Sequence, residues 1–550
     1  MQATSRNCGQ DLSQLVDQAQ AWLDQDPDPV TKLELQALID NHDEEGLASR
    51  FSSRLDFGTA GLRGELGAGP NRMNRLVVAQ TALGIAQFLN ANRETYLDPS
   101  GELSAVIGYD GRTNSDVFAL DSAEILSAAG IKTFLFSEMV PTPVAAFTGR
   151  RLGASLTVVV TASHNPPRDN GYKVYLGGPT GGSQLVPPQD KEIANLITAI
   201  STKTTFQEIP KSKDFALIGQ PEINQYLNRA KTLVSLDESA IAKRSAIRIT
   251  HTALHGVGWK VVSPLLAAAG FKVLPVKLQA EPDPQFPTVA FPNPEEKGAM
   301  DLSFAEAASN DSDIILANDP DADRLAVAVR SGDGYQMLTG DQVGLLLANQ
   351  LAPSSKAIAN SIVSADLSAL AQHYGVPYTQ TLTGFKWISK VPDLGYGYEE
   401  ALGYCVDPEY TPDKDGITAA LIIAQMASDL KAQGKTLVDQ IQDLAQKFGH
   451  IATGQVSLRV SDLSVIGKIT SGLRANPPAS IGAEAVLFED YLARTDAMKT
   501  DALIFSSKSI KIIVRPSGTE PKLKCYLQAS ATSKLDATKL LESLKTWAEA

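Results

Sequence analysis

Cysteine is scarce in this chain of 550 residues, which has only Cys8, Cys405 and Cys525. Their odd number and wide spacing fit neither a disulfide framework nor a zinc site. No apolar run approaches the roughly 18 residues of a membrane helix, and the N-terminus lacks the basic start and apolar stretch of a secretory signal. We therefore expect a cytoplasmic protein without a membrane partner.

An excess of positive charge is also missing. The 49 basic and 62 acidic residues give a net charge of -13, which argues against nucleic acid as a partner. The hydrophobic share of 43% and the charged share of 20% are those of an ordered globular protein. A chain of this length predicts about three to five domains. The sequence does not indicate an oligomeric state.

A helix that ends in glycine and leads at once into a strand recurs three times. The three copies are ILSAAGIKTFLF (125–136), LLAAAGFKVLPV (265–276) and LAQHYGVPYTQT (370–381). Their glycines stand where a left-handed residue would end each helix. Because a strand candidate also precedes each copy, the pattern predicts strand–helix–strand units and largely parallel sheets covered by helices.

Linker-like stretches divide the chain into four predicted domains. Residues 1–207 hold two N-terminal helices, SQLVDQAQAWLDQ and VTKLELQALIDN, as a cap on a first α/β domain. Residues 208–332 and 333–450 form two further α/β domains. Residues 451–550 alternate strand-like runs with one terminal helix, which indicates a smaller α+β module.

The segment TASHNPPRDNGYKVY (161–175) follows the buried-strand run ASLTVVV. Ligands of open α/β sheets bind at the ends of such strands. Ser163 offers a hydroxyl that can be phosphorylated, His164 is adjacent, and Lys173 lies ten residues on. The same residues would also suit an Asn-Pro turn in which the Ser163 hydroxyl only forms hydrogen bonds with backbone groups.

Three carboxylates alternate in NDPDADRLAVAV, at Asp319, Asp321 and Asp323. In a tight loop they can converge on one hard cation, Mg²⁺ or Ca²⁺. An EF-hand would need glycine and glutamate where Arg324 and Arg330 stand. Mg²⁺ fits better because it usually takes few protein carboxylates, although a solvated acidic turn without metal stays open.

Two segments could bind phosphate. In VRPSGTEPKLK (514–524), Arg515 could fork onto a phosphate while Ser517, Gly518 and Thr519 supply further donors. FGTAGLRGELG (57–67) is rich in glycine around Arg63 but matches neither common phosphate-loop pattern. Each would also suit an ordinary turn.

Two further segments could contact a sugar. GYEEALGY (397–404) pairs Glu399 with Glu400, and TGFKWI (383–388) places Lys386 between two aromatic residues. A surface turn and local packing are the alternative interpretations.

In this order the motifs resemble the α-D-phosphohexomutase superfamily, the family of phosphoglucomutase and phosphomannomutase, over nearly the whole chain. TASHNP is similar to its phosphoserine loop, DPDADR to its metal loop, GYEEALG to its sugar-recognition loop and RPSGTEP to its phosphate-binding loop. The resemblance implies three related α/β domains with mixed, largely parallel sheets and a C-terminal α+β domain, heart-shaped around a central cleft.

The resemblance also implies roles for single residues. Ser163 would carry the phosphoryl group and, with the three aspartates, bind Mg²⁺. Proton transfer and charge neutralisation would fall to His164, Lys173, Lys414, Arg63 and Arg324. Substrate binding would fall to Gly384, Phe385, Lys386, Glu399 and Glu400 at the sugar and to Arg515, Ser517, Gly518 and Thr519 at the phosphate that is not transferred.

The implied activity interconverts glucose 1-phosphate and glucose 6-phosphate, and also mannose phosphates, with glucose 1,6-bisphosphate as activator and intermediate. Ala401 stands where many relatives have a serine, so one sugar contact is missing. This departure resembles a subgroup that includes phosphopentomutase and glucose-1,6-bisphosphate synthase, and both activities stay open. A phosphatase and a non-catalytic sugar-phosphate binding protein are less favoured, because of the second phosphate clamp and the retained Ser163.

Overall fold

The computed structural model describes residues 12–58, 61–460, 463–516 and 522–549. The chain forms two compact units: residues up to Met337 together with Asp407–Ser428, and Leu338–Val406 together with the residues from Asp429 onward. Cys405 and Cys525 are buried and free, and Cys8 lies outside the described residues. None of the described helices combines the length and apolar character needed to cross a membrane.

Three helices open the described part of the first unit, one more than the sequence indicates. They are α1 (Leu12–Gln25), α2 (Pro29–Asp40) and α3 (Glu44–Phe51). Asp28 begins α2 by accepting a hydrogen bond from the backbone N–H of Val30. The helices bury one face in the core of the first sheet, where the ring of Trp22 meets that of Phe51 edge-on, 6.2 Å between centroids.

The first sheet has seven strands in the order β1-β5-β4-β2-β3-β7, with β6 beside β5. The strands are β1 (Leu62–Glu65), β2 (Ser104–Tyr109), β3 (Lys132–Phe136), β4 (Leu156–Val160), β5 (Asp169–Leu176), β6 (Ser183–Gln184) and β7 (Ala216–Ile218). The accompanying helices are α4 (Arg75–Ala91), α5 (Arg93–Tyr96), α6 (Ser115–Ala128), α7 (Thr142–Leu152), α8 (Gln189–Lys203) and α9 (Gln220–Lys231).

The second sheet of this unit has five strands in the order β12-β11-β10-β8-β9. The strands are β8 (Arg248–Thr252), β9 (Lys272–Pro275), β10 (Ile314–Ala317), β11 (Ala326–Ser331) and β12 (Gly334–Met337). The helices here are α10 (Glu238–Arg244), α11 (Trp259–Ala268) and α12 (Asp301–Ser309).

The second unit begins with a four-stranded sheet in the order β14-β13-β15-β16. The strands are β13 (Ala357–Ser361), β14 (Tyr378–Thr381), β15 (Leu394–Glu399) and β16 (Gly403–Cys405). The helices of this part of the chain are α13 (Gly340–Leu351), α14 (Ser368–Tyr374), α15 (Phe385–Ile388), α16 (Gly416–Ala432) and α17 (Leu437–Phe448). Helix α16 starts within the residues of the first unit.

An antiparallel sheet in the order β17-β23-β22-β21-β20 completes the second unit, beside the small pair β18-β19. The strands are β17 (His450–Arg459), β18 (Ser480–Ile481), β19 (Glu484–Ala485), β20 (Leu487–Asp490), β21 (Leu503–Ser506), β22 (Ile510–Pro516) and β23 (Lys522–Ala531). Helices α18 (Leu463–Ala475) and α19 (Lys534–Glu549) belong to this module.

Three of the sheets repeat one topology of four strands. The orders β3-β2-β4-β5, β9-β8-β10-β11 and β14-β13-β15-β16 each contain three parallel strands followed by an antiparallel fourth. Gly130, Gly270 and Gly375 have positive φ angles of 77°, 92° and 65°, as the recurring helix end predicts. The predicted class of three related α/β domains and an α+β module is confirmed, while the four domain boundaries stay a prediction.

The packing of α2 predicts a large difference between two leucines on the same helix. Leu35 is 0% exposed and Leu33 is 74% exposed. Leu35→Ala should lower the free energy of unfolding of the first unit by about 2–5 kcal/mol because it leaves a cavity. The matched Leu33→Ala should stay within about 0.5 kcal/mol of the parent. Calorimetric unfolding of both variants checks this, and equal effects would mean that α2 is not part of the core.

Candidate functional site

Three of the sequence motifs occupy one topological position in the three related sheets, where the third parallel strand turns into the antiparallel fourth. Ser163 lies between β4 and β5, the aspartates lie between β10 and β11, and Glu399 ends β15 before β16. In each loop one residue other than glycine has a left-handed backbone: Ser163 at φ 53°, Ala322 at 57° and Leu402 at 62°. Such conformations are uncommon and cluster at functional sites.

Ser163 and the aspartate loop meet within the first unit. The Ser163 backbone N–H donates to Thr161 Oγ1 at 2.8 Å, and its hydroxyl donates to Asp319 Oδ2 at 2.6 Å. His164 Nδ1 lies 3.1 Å from the same hydroxyl oxygen. The structure therefore brings the predicted nucleophile, its neighbouring imidazole and the first predicted metal ligand together.

The three aspartates are buried, with carboxylate oxygens that all lie within 4.8 Å of one another. Lys173 Nζ donates to Asp321 Oδ2 at 2.6 Å and to Asp323 Oδ2 at 2.7 Å. Lys414 Nζ lies 3.2 Å from the same oxygen of Asp323. Two lysines that are 241 residues apart in the chain thus neutralise one carboxylate cluster.

The pKa values of two aspartates in this cluster shift in opposite directions. Burial, with the nearby charges of Asp321 and Asp323, raises the pKa of Asp319 to about 8. Burial opposes ionisation of Asp323 as well, but Lys173 and Lys414 hold the pKa of that carboxyl below its usual range. Although burial would lower the pKa of Lys173, the two aspartates raise it, so this lysine is a cation.

The same cluster fits Mg²⁺. Oδ1 of Asp321 and Oδ1 of Asp323 are buried and have no hydrogen-bond partner in the part of the chain that the structure describes. Buried carboxylate oxygens without partners are costly, and Mg²⁺ prefers such oxygen ligands. A divalent cation would also offset the repulsion that, after burial, raises the pKa of Asp319.

Two arginines and the imidazole add positive charge and a proton acceptor. Arg63 projects from β1 and donates to Asn165 Oδ1 at 3.2 Å, while Arg324 Nε lies 4.0 Å from Asp323 Oδ1. Burial, followed by the charges of Arg324 and Arg63, holds the pKa of His164 well below its usual value. His164 is therefore neutral near pH 7, and its ring can accept a proton.

Sequence reasoning missed the residues that hold Lys414 in place. Tyr175 and Gln184 both donate to Asp413 Oδ2, at 2.7 and 2.8 Å, and Asp413 Oδ1 lies 3.5 Å from Lys414 Nζ. Gly416 passes so close to the carbonyl of Arg324 that a Cβ would lie 2.1 Å from its oxygen. Tyr175 ends the stretch that carries Lys173, and two-residue alternation along β5 was the available signal.

Within the second unit, the structure joins two of the predicted substrate segments. Glu399 Oε1 accepts the backbone N–H of Gly384 at 2.6 Å, and Arg515 Nη1 donates to Thr383 Oγ1 at 2.7 Å. Phe385 is buried in a small core, and Lys386 Nζ lies 5.9 Å from the centroid of the Trp387 ring. Ser517, Gly518 and Thr519 lie outside the described residues.

Glu400 differs from its neighbour in its environment. Its Oε2 accepts the hydroxyl of Ser364 at 2.8 Å, and its backbone N–H donates back to that oxygen at 3.1 Å. Burial, then the charges of Glu399 and Asp341, raise the pKa of Glu400 to about 8. This carboxyl is therefore mostly protonated near pH 7, where an exposed glutamate is ionised.

This raised pKa predicts a pH effect on stability. Between about pH 4.5 and pH 8 the folded state holds a proton on Glu400 that the unfolded state has released, so the free energy of unfolding falls as pH rises. Glu400→Gln, which keeps an acceptor for Ser364, should remove this part of the slope in denaturant unfolding of the second unit. Subtracting the variant from the parent cancels other titrations, and identical slopes would show that Glu400 is ionised throughout.

Comparison with known proteins places these motifs in one family. The phosphoglucomutase/phosphomannomutase models for alpha/beta/alpha domains I, II and III match residues 54–204, 224–332 and 339–448, and the model for the C-terminal domain matches residues 470–541. A Burkholderia thailandensis protein described as a member of this family has a similar fold, with a TM-score of 0.67 at 19% identity over 89% of this chain and 96% of that one.

Curated relatives carry several phosphomutase names. A Haemophilus influenzae protein named "Probable phosphomannomutase" is 45% identical over 85% of this chain and 95% of its own length. A Schizosaccharomyces pombe "Probable phosphoribomutase" is 33% identical over 97% and 96%, and a Staphylococcus aureus phosphoglucomutase 31% over 92% and 94%. The chain belongs to the phosphoglucomutase/phosphomannomutase family of the α-D-phosphohexomutase superfamily and is an isomerase of the phosphosugar mutase type.

Proposed function

We propose that the chain interconverts glucose 1-phosphate and glucose 6-phosphate, and in addition mannose phosphates, through a phosphoserine at Ser163. The observation that carries this proposal is the 2.6 Å hydrogen bond from the Ser163 hydroxyl to Asp319. It sets the Ser163 hydroxyl against a buried cluster of three carboxylates and two lysines. Phosphoryl transfer depends mainly on such positioning and charge neutralisation.

In the first step, a free hydroxyl of the sugar monophosphate attacks the phosphorus of phosphoserine 163. The new bond joins the sugar oxygen to phosphorus as the bond from phosphorus to Ser163 Oγ breaks. A base takes the proton of the attacking hydroxyl and passes it to the departing Ser163 Oγ. The product is a sugar bisphosphate. In the second step Ser163 Oγ gives its proton to the base and attacks the other phosphate of this bisphosphate. The bond from that phosphorus to the sugar oxygen breaks, the sugar oxygen takes the proton, and the phosphoserine and the isomeric monophosphate result.

The side chains around Ser163 supply a proton acceptor and positive charge for this reaction. Neutral His164, 3.1 Å from Ser163 Oγ, is suited to accept the proton. Lys173 and Lys414 are held by the aspartates and are suited to donate hydrogen bonds to the oxygens of the moving phosphoryl group. Arg63 and Arg324 supply further positive charge for those oxygens.

Asp319, Asp321 and Asp323 would hold Mg²⁺ together with an oxygen of the phosphorylated Ser163. When bound, the ion would withdraw charge from the phosphoryl oxygens. The buried Oδ1 atoms of Asp321 and Asp323, to which no described residue donates a hydrogen bond, are the observation that supports this assignment.

The second unit would select and orient the sugar phosphate. Glu399, with Gly384 to Lys386, is assigned to the sugar hydroxyls, and Glu400 as a protonated carboxyl can donate a hydrogen bond as well as accept one. Arg515, with Ser517, Gly518 and Thr519, is assigned to the phosphate that is not transferred, because a planar guanidinium can bind phosphate with two parallel hydrogen bonds. The four domains and their boundaries are proposed as the sequence predicts them.

Hexose phosphates are favoured over pentose phosphates. The H. influenzae relative, at 45% identity, is named for mannose phosphate and the S. aureus relative for glucose phosphate, and these sugars differ in the orientation of one hydroxyl. Ala401 and the S. pombe relative named for ribose phosphate support a pentomutase as the second candidate. A glucose-1,6-bisphosphate synthase, which would release the bisphosphate after the first step, is a further alternative.

The conversion of 1-phosphates of glucose, mannose and ribose tests the substrate. We expect kcat/KM for glucose 1-phosphate to exceed that for ribose 1-phosphate at least about tenfold, in line with the loss of a single well-made contact. The assay contains Mg²⁺ and a trace of glucose 1,6-bisphosphate, and chelation by EDTA should stop turnover. A preference for ribose would assign the pentomutase activity, and release of inorganic phosphate without isomerisation would assign a phosphatase.

Replacement of the nucleophile tests the covalent step. Ser163→Ala should abolish turnover and the mass increase of one phosphoryl group on the peptide that contains residue 163, while glucose 6-phosphate still binds in calorimetry. Ser137→Ala, which removes an exposed hydroxyl directly after β3, is the matched control and should keep both. Full activity in Ser163→Ala would rule out a phosphoserine intermediate.

A further inference from the structure

A buried arginine lies against the Ser163 loop and donates hydrogen bonds to its backbone. Arg112 follows β2 and is 3% exposed. Its Nη2 donates to the backbone carbonyls of Ser163 and Asn165, both at 2.6 Å. Its Nη1 donates to those of Pro166 and Asp169, at 2.8 and 3.0 Å. One side chain therefore ties four carbonyls of a single loop to the end of the neighbouring strand.

The guanidinium is itself fixed from the other side. Asp110 Oδ1 accepts the backbone N–H of Arg112 at 3.0 Å, and Asp110 Oδ2 lies 3.5 Å from Arg112 Nε. The ring of Phe286 covers the guanidinium, with its centroid 5.0 Å from the Cζ atom. Asp110 and Phe286 thus flank the guanidinium while its two terminal nitrogens donate to the loop.

Only arginine can make this set of contacts. Four acceptors at different points of a loop need donors that diverge in a plane, which the guanidinium supplies with five N–H groups. A lysine has three donors on one nitrogen, so at least one of the four carbonyls would lose its hydrogen bond from this side chain. Ser163 also has φ 53°, and a serine keeps that backbone conformation only where its surroundings enforce it.

We propose that Arg112 is a positioning residue for phosphoryl transfer, which holds the Ser163 loop so that the Ser163 oxygen stays at Asp319 and His164. Arg112 acts through the backbone and donates no hydrogen bond to the Ser163 hydroxyl. This role rests on the proposed function of Ser163. It is separate from the roles of Arg63 and Arg324, which are assigned to the phosphoryl oxygens themselves.

Steady-state kinetics of Arg112→Lys test the proposal. We expect kcat to fall by about 100-fold, because a displacement of about 1 Å at a reacting group has that effect. KM should change by less than about threefold, since the distal phosphate and sugar contacts are unaltered. The matched control is Arg244→Lys: Arg244 is also 3% exposed and also donates to backbone carbonyls, those of Ser235 and Ala269, but in another part of the unit.

The outcomes separate positioning from simple destabilisation. An equal fall of kcat in Arg112→Lys and Arg244→Lys would overturn the proposal, as would a kcat of Arg112→Lys within about threefold of the parent. Should Arg112→Lys fail to fold, Phe286→Leu serves as the second variant, because it removes the ring over the guanidinium and no hydrogen bond. A smaller but measurable fall of kcat would then support the proposal, and an unchanged kcat would overturn it.

A crystal structure of Arg112→Lys keeps this test independent of the proposed function. We expect Ser163 to leave the left-handed region and its hydroxyl to move away from Asp319. Retention of the parent conformation would overturn the positioning role even if the enzyme proved to have another substrate. Loss of turnover in Ser163→Ala with normal turnover in Arg112→Lys would leave the mutase proposal standing and remove only this one.

Discussion

The structure of the first unit depends on the repulsion among three buried carboxylates. Asp319, Asp321 and Asp323 have oxygens within 4.8 Å of one another and are at most 1% exposed. Such a cluster can be buried only if cations surround it. Lys173 comes from the first sheet and Lys414 from the segment Asp407–Ser428. Electrostatic compensation therefore requires two distant parts of the chain to meet at the second sheet.

The repeated topology explains how this meeting is arranged. The end of the third parallel strand and the turn into the antiparallel fourth form the same feature in each sheet, and each carries one residue with left-handed backbone. In the first repeat that residue is Ser163 itself, whereas in the second it is Ala322, which separates two of the aspartates. One local geometry thus presents a hydroxyl in one repeat and carboxylates in another.

Much of the fold and the site could be predicted from local patterns, because the relevant signals lie within short segments. The helix ends at Gly130, Gly270 and Gly375 and the two motif loops are of this kind. The contacts of Arg112 could not be predicted in the same way, since it lies 51 residues before Ser163 in sequence. Only the adjacency of the parallel strands β2 and β4 brings the two together. The polar residues of GYDGRTNS after β2 were the available signal.

Lys414 shows the same limit in a stronger form. The strand pattern assigns its surroundings to the third repeat, yet Asp407–Ser428 packs with the first unit. Arg229 forms a two-point ion pair with Asp407 at 2.8 Å, and Tyr226 donates to Asp415 at 2.8 Å. Because these contacts are polar and specific, they hold the segment in one register. They thereby place the Lys414 ammonium at Asp323. A purely apolar attachment would not fix the register of the segment in this way.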